Sequence, residues 1–161
     1  TFKPESVIHF AGLKAVGESV ADPIKFYDVN VGGSISLLTA MSKAECNNIV
    51  FSSSATVYGK PHYLPYDEEH PTHPVNPYGR TKLMIENIIQ DWTKVDSKRN
   101  GTALRNFNPV GAHDSGLIGE EPIGLPNNLM PCIAQVADSR REHLNIFGND
   151  SDTTHATGAQ A

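Results

Sequence analysis

Short apolar runs alternate with longer stretches of helical periodicity along almost the whole chain, and this alternation restricts its fold more than any other feature. Residues 7–11, Val-Ile-His-Phe-Ala, read as a short buried strand with Gly12 as its turn. Residues 23 to about 43 read as a helix, with Pro23 in the first turn and Asp22 as N-cap. Ile24, Tyr27, Val31, Ile35, Leu38 and Met41 give it an apolar stripe. Gly32 and Gly33 interrupt that helix at about 1 kcal/mol each against alanine. Either close packing against a neighbour or cofactor, or simple local weakness, accounts for them. A second strand spans 48–53, and a second helix runs from 78 to about 95 with Ile85, Ile88, Ile89, Trp92 and Val95 as its buried face. A third strand spans 102–107, residues 125–139 contain a short helix, and 144–147 form a last short strand. Strands alternating with helices argue for an α/β fold, a parallel sheet joined by crossover helices.

The 161 residues suffice for one domain of ordinary size. A net charge of −5 with no basic stripe speaks against nucleic acid or an anionic membrane as partner. Cys46 and Cys132 are too few and too far apart for a disulfide framework and read as reduced thiols of a cytosolic, cytoplasmic protein. No apolar run approaches ~20 residues, and no secretory signal opens the chain. Residues 60–77 hold five prolines and three histidines and form a long loop. His62, His70 and His73 share it with Asp67, Glu68 and Glu69, at a spacing that fits no standard ligand pattern, so it reads as a solvated loop with no metal.

Chemistry concentrates in Asn76-Pro77-Tyr78-Gly79-Arg80-Thr81-Lys82. Tyr78 and Lys82 are four apart and share a helix face, which points the phenol and the ammonium into one site. A fixed positive charge nearby favours phenolate, so the phenol, normally near ~10, becomes a usable proton acceptor closer to neutrality. By itself a Tyr-x-x-x-Lys pair is most often a surface helix. Here an apolar strand ending in the Ser52-Ser53-Ser54 run precedes it, the order expected for a strand-end active site in an α/β sheet. Ser54 is placed to hydrogen-bond the substrate oxygen that Tyr78 deprotonates.

These stretches, together with VIHFAGLKAVGESV from Val7, NIVFSSSATVYG from Asn48, NPYGRTKLMIE from Asn76, RNFNPVGAH from Arg105, GLPNNLMPCIAQVA from Gly124 and IFGND from Ile146, span nearly the whole chain. In that order they resemble the extended short-chain dehydrogenase/reductase family, and within it the branch of UDP-glucose 4-epimerases. The resemblance implies a partial Rossmann-like doubly wound parallel sheet over 1–113, carrying the catalytic Ser, Tyr and Lys, and the start of a small UDP-sugar-binding domain over 114–161. It implies NAD as a permanently bound cofactor. The reaction would be interconversion of UDP-galactose and UDP-glucose, by oxidation at C4 to a 4-keto sugar and re-reduction on the opposite face.

By the same resemblance Tyr78 is the base, Lys82 lowers its pKa and holds the nicotinamide ribose, and Ser54 orients the 4-oxygen. Phe10, Ala11, Gly12 and Lys14 line the cofactor site, Asn30 lies beside the catalytic groups, and Phe107 contacts the cofactor. Ala55, Thr56 and Asn108 face the substrate. Asn127, Asn128 and Leu129 grip the UDP-sugar, and Asn145, Ile146 and Phe147 lie along the uridine. On the residues alone, Phe10 and Ala11 read equally as core, Asn127-Asn128 as a helix N-cap, and 145–147 as an edge strand. Family members are usually homodimers built on two helices per subunit, which match 23–43 and 78–95.

The sequence departs from the family in places. Asn106 stands where tyrosine is usual, and no Gly-x-Gly-x-x-Gly or Gly-x-x-Gly-x-x-Gly turn occurs. The chain therefore reads as the middle of a longer enzyme, without the first three strands of the family fold and the rest of the substrate domain. The tail after Ser151 lacks an apolar pattern and is expected to be disordered. Rival readings are another nucleotide-sugar enzyme of the family, such as a 4,6-dehydratase or decarboxylase, and an inactive truncated chain with an aggregation-prone sheet edge. Ala55-Thr56 stands where a dehydratase has Asp-Glu, which counts against that rival.

Overall fold

A computed structural model describes residues 3–111, 113–119 and 128–145. The chain divides into two compact units, Thr1–Phe107 and Asn108–Ala161. In the first, β1 (Ser6–His9), β2 (Asn48–Ser54) and β3 (Asn100–Asn106) form a parallel sheet in the order β1-β2-β3. The registers pair Val7 with Ile49 and Ser54 with Asn106. Helices α1 (Val16–Ala21), α2 (Pro23–Phe26) and α3 (Gly33–Lys43) connect β1 to β2, and α4 (Pro77–Lys94) connects β2 to β3. The expected α/β class with parallel crossovers is what the chain adopts.

Central strand β2 shows why the sheet lies as it does. Ile49, Phe51 and Ser53 point to one face and are buried, while Asn48, Val50 and Ser52 on the other face keep some exposure. Leu38 and Met41 of α3, Cys46, and Ile85 and Ile89 of α4 close over Ile49 and Phe51 as a single core. Gly101 lets α4 lie close to β3, since a Cβ there would meet Ile89 Cγ2 at 2.5 Å.

Four expectations about the first unit need correction. The 23–43 segment is not broken at Gly32-Gly33; α2 runs through a π-helical turn, Tyr27–Gly32, into α3. That wide turn shifts the helical phase by one residue. The buried face ahead of Leu38 is therefore Phe26, Asn30 and Ser34, and Ile24 and Ile35 are exposed at 75% and 48%. Val95 is exposed because it lies beyond the last turn of α4. The histidine loop is not wholly solvated. His70 is buried, with Nδ1 2.8 Å from Pro71 O and Nε2 accepting the His62 amide at 3.0 Å, packed by Tyr58, Tyr63 and Tyr66.

In the second unit, α5 (Leu129–Ala137) is the helix among the described residues. Asn128 takes its N-cap position, although its side chain caps no backbone N–H. Leu144 and Asn145 are irregular, so the short strand expected there does not start at 144. Residues 146 and 147, like the 151–161 tail, lie outside the described residues.

Candidate active site

The site forms where the C-terminal end of β2 meets the first turn of α4. Leaving β2, the chain makes a 3-10 turn, Ala55–Val57, capped by Ser54: its Oγ accepts from the Thr56 amide at 3.2 Å and the Thr56 hydroxyl at 3.0 Å. The start of α4 is fixed from three directions. Asn76 caps it by accepting from the Gly79 amide at 2.8 Å, Pro77 supplies a preset first residue, and the Tyr78 amide donates to buried Ser19 Oγ at 3.2 Å.

With the helix start held, Tyr78 and Lys82 face the end of β2 together. Ser54 is the neighbour that favours the ionised form of the Tyr78 phenol. Lys82, 6% exposed, donates from Nζ to the Ser52 carbonyl at 2.7 Å. Its ammonium lies 4.8 Å from the Phe51 ring centre and 5.7 Å from that of Tyr78.

The acid–base balance differs from the expected one. Burial raises the Tyr78 phenol above its usual value, with Ser54 pulling the other way. Lys82 is itself pushed down to about 8 by burial. Its ammonium is directed at the Ser52 carbonyl and not at the phenol oxygen. Proximity of Lys82 therefore does not by itself make Tyr78 a base, and Ser54 is the group that favours the phenolate.

A second layer supports these groups. Asn30, in the π-helical turn, accepts the Leu13 amide at 2.8 Å and donates to the Leu13 carbonyl at 3.0 Å and to Thr81 Oγ1 at 3.3 Å. It thereby ties the loop after Gly12 to the helix that carries Lys82. Gly12 needs its freedom here: its φ is +150°, and a Cβ would meet Asn30 Oδ1 at 3.0 Å. His9 shares a 2.9 Å hydrogen bond with Ser34 and feels the Lys82 charge.

Phe10, Ala11, Gly12 and Lys14 are exposed past the end of β1. Phe10, Ala11, Gly12 and His9 line a groove of about 410 Å³ whose other walls are Val7, Val29 and Leu37. Phe107 ends the first unit, 5.9 Å from the Tyr66 ring. Ala55 and Thr56 are half-buried beside Ser54. Asn108, Asn128, Leu129 and Asn145 belong to the second unit, while Asn127, Ile146 and Phe147 lie outside the described residues. Sequence reasoning passed over Thr81, Ser34, Ser53, Glu86 and Arg105. The signal that could have found Glu86 is the continuation of the Tyr78, Lys82 spacing by one more turn.

Residues 1–153 match the family model described as the NAD dependent epimerase/dehydratase family. The chain belongs to that family. Among curated members, UDP-glucose 4-epimerase of Yersinia pestis is 59% identical over 156 residues, and that of Homo sapiens 58% over 156 residues. Each alignment covers 96% of this chain and 46% or 45% of the relative, so the chain spans about half the length of the relatives it matches. A crystal structure of UDP-glucose 4-epimerase from Bifidobacterium longum in complex with NAD+ and UDP superposes with a TM-score of 0.91 at 52% identity, over 96% of this chain and 46% of that one. The parallel sheet of this family member is thus the Rossmann-type sheet of solved epimerases. Among the described residues no helix is long and apolar enough to cross a membrane.

Proposed function

We propose that this protein is an isomerase that interconverts UDP-galactose and UDP-glucose with NAD as its bound cofactor. Tyr78, Ser54 and Lys82 would carry the chemistry. The observation that carries this reading is Tyr78 in the first turn of α4 beside Ser54 at the end of a parallel strand, with buried Lys82 one helical turn on and 5.7 Å from the phenol ring. The similarity to an epimerase crystallised with NAD+ and UDP supports it.

The residues present fit a nicotinamide cofactor. An apolar groove leads past Phe10, Ala11 and Gly12 at the end of β1, where a cofactor can lie against the sheet edge. Lys82 has one hydrogen bond among the described residues, which leaves N–H groups for ribose hydroxyls. Bound NAD would accept a hydride from C4 of the sugar and return it. Tyr78 would take the 4-hydroxyl proton and give it back to the 4-oxygen as C4 is re-reduced on its opposite face, and Ser54 would hold the 4-oxygen in line. The positive charge of Lys82, with that of the oxidised nicotinamide, would offset the burial that raises the phenol. Asn108, Ala55 and Thr56 would face the sugar, and Asn127, Asn128, Leu129, Asn145, Ile146 and Phe147 the nucleotide.

We infer a cytoplasmic homodimer joined through the α2–α3 and α4 helices, whose exposed Ile24, Ile35 and Met84 offer apolar surface. Sedimentation equilibrium would show a single monomeric species if that is wrong. The function itself is tested on the protein expressed from its own gene, supplied with NAD and UDP-galactose, with UDP-glucose followed by chromatography. The expected result is conversion to a mixture of both sugars, abolished in Tyr78→Phe with NAD still bound. Undiminished turnover in Tyr78→Phe would remove Tyr78 from the chemistry, and no conversion by the wild type would remove the reaction.

A further inference from the structure

Glu86 lies one turn beyond Lys82 and two beyond Tyr78, so the three occupy one face of α4. Its carboxylate does not reach the site. Oε1 accepts the Ser53 hydroxyl, and Arg105 donates from Nε at 3.3 Å to each oxygen and from its terminal nitrogen at 3.0 Å to Oε2. Ser53 and Arg105 are direct partners in the β2–β3 ladder, and the next rung is Ser54 with Asn106. The Arg105 guanidinium also lies over the Tyr58 ring, 5.0 Å from its centre, just past the 3-10 turn that Ser54 caps. One carboxylate therefore joins the helix bearing Tyr78 to two strands, one residue before the hydroxyl that the phenol must meet.

Fold stability alone does not call for this arrangement. Ser53 follows Ile49 and Phe51 on the core face of β2 and is 3% exposed, where another apolar residue would pack against α4. A well-packed apolar pair generally stabilises as well as a buried ion pair of similar volume. What the pair adds is direction, because a guanidinium on both carboxylate oxygens allows little rotation or slide.

We propose that Glu86, held by Arg105 and Ser53, is a positioning residue that sets the separation of the Tyr78 phenol from the Ser54 hydroxyl. The device acts through the setting of α4 on the sheet. Its catalytic consequence rests on the epimerase reading, but its geometric consequence does not.

Two variants separate positioning from bulk stability. Glu86→Gln keeps size and one acceptor but loses the paired charge. The double variant Glu86→Met/Arg105→Leu replaces the pair with apolar volume. Each is labelled with 3-fluorotyrosine, and the Tyr78 fluorine signal is assigned with Tyr78→Phe. In both variants the Tyr78 signal is expected to move and its titration midpoint to rise, since Ser54, the neighbour that favours the phenolate, is no longer held against the phenol. In the epimerase assay, kcat falls by about 10- to 100-fold with KM for UDP-galactose within about twofold of wild type, the scale of an ångström-level misplacement. The melting temperature of the apolar double variant stays near that of the wild type.

An unmoved Tyr78 titration in Glu86→Gln overturns the proposal, whatever the activity. So does a double variant with wild-type kcat. Should the wild type show no epimerase turnover, the functional reading falls and the fluorine titration still decides the clamp. Glu86→Gln is isosteric and anchors the test even where the double variant does not fold.

Discussion

Gly79 rests so close to Thr56 that a Cβ on it would stand 2.8 Å from the Thr56 carbonyl oxygen and 2.9 Å from Pro74 Cβ. Tyr78 is its neighbour on the helix, and Thr56 belongs to the turn that Ser54 caps, so this contact helps to set the distance between base and hydroxyl. In Gly79→Ala two effects compete. Helix propensity favours alanine by about 1 kcal/mol. Backbone that cannot yield opposes it, and overpacking of that kind costs about 1–3 kcal/mol. The contact wins, because its near atom is a carbonyl and not the end of a flexible side chain. Gly79→Ala is expected to lower the melting temperature by a few degrees and kcat by more than about tenfold. A raised melting temperature with unchanged kcat would show that α4 tolerates the methyl group.

Much of this arrangement was legible in the sequence, and the misses share a cause. Alternating periodicities gave the parallel sheet, the Asp22-Pro23 pair marked one helix start, and the apolar face of 78–95 placed the other to within a residue. The face of 23–43 was misread because a π-helical turn has no compositional mark; its consequence, polar Asn30 and Ser34 among the buried residues, shows only in three dimensions. The pKa of Tyr78 was misjudged for a similar reason. Four-residue spacing places an ammonium near a phenol, but it does not say that the ammonium is spent on the Ser52 carbonyl. Glu86 was passed over because its meeting with Ser53 and Arg105 depends on strand register and helix placement, which no local pattern shows.

Lys82 makes two opposite pH dependences expected. Its folded value is about 8 against the ordinary 10.5. Between these values the unfolded chain holds a proton that the folded chain has released, so this group makes the fold more stable as pH rises through that window. Below about 8 both states are charged and the burial cost is present in full. Activity runs the other way, because the ammonium that would hold a cofactor ribose is lost above about 8. Urea unfolding across the window should show a rise in the wild type that Lys82→Met lacks, while turnover declines over the same range. A parallel pH profile in wild type and Lys82→Met would mean that Lys82 is not the titrating group.

His9 predicts acid sensitivity. Ser34 Oγ donates to the Asn30 carbonyl at 2.7 Å, so it accepts from His9 Nε2–H, which places the proton of the neutral ring on Nε2. Burial first, and the Lys82 charge second, hold its pKa below 6.5. As pH falls below 6.5 the unfolded chain takes a proton that the folded ring refuses. Stability drops by up to about 1.4 kcal/mol per pH unit until the folded value is reached. His9→Gln, which keeps a donor toward Ser34, should flatten this part of the stability profile in denaturant titrations. An unchanged slope would assign the acid sensitivity to other groups.

Asn30 offers a sharper test of the loop that leads into the groove. Its amide satisfies both the N–H and the carbonyl of Leu13 and donates to Thr81, while it is only 3% exposed. Asn30→Asp preserves the acceptor for the Leu13 amide but turns an oxygen toward the Leu13 carbonyl. Leaving a buried polar group unpaired costs about 1–3 kcal/mol, and more for a charge, so near neutrality Asn30→Asp should lose at least about 2 kcal/mol. Protonation would return a donor, which raises the folded pKa of the new carboxyl above the ordinary ~3.9. The deficit should therefore shrink as pH falls from neutrality toward about 5, whereas Asn30→Ala, with nothing to protonate, should keep its deficit. Paired urea titrations at the two pH values give the comparison. A deficit in Asn30→Asp that does not change with pH would mean that the donor to the Leu13 carbonyl is not what holds this loop to the helix of Lys82.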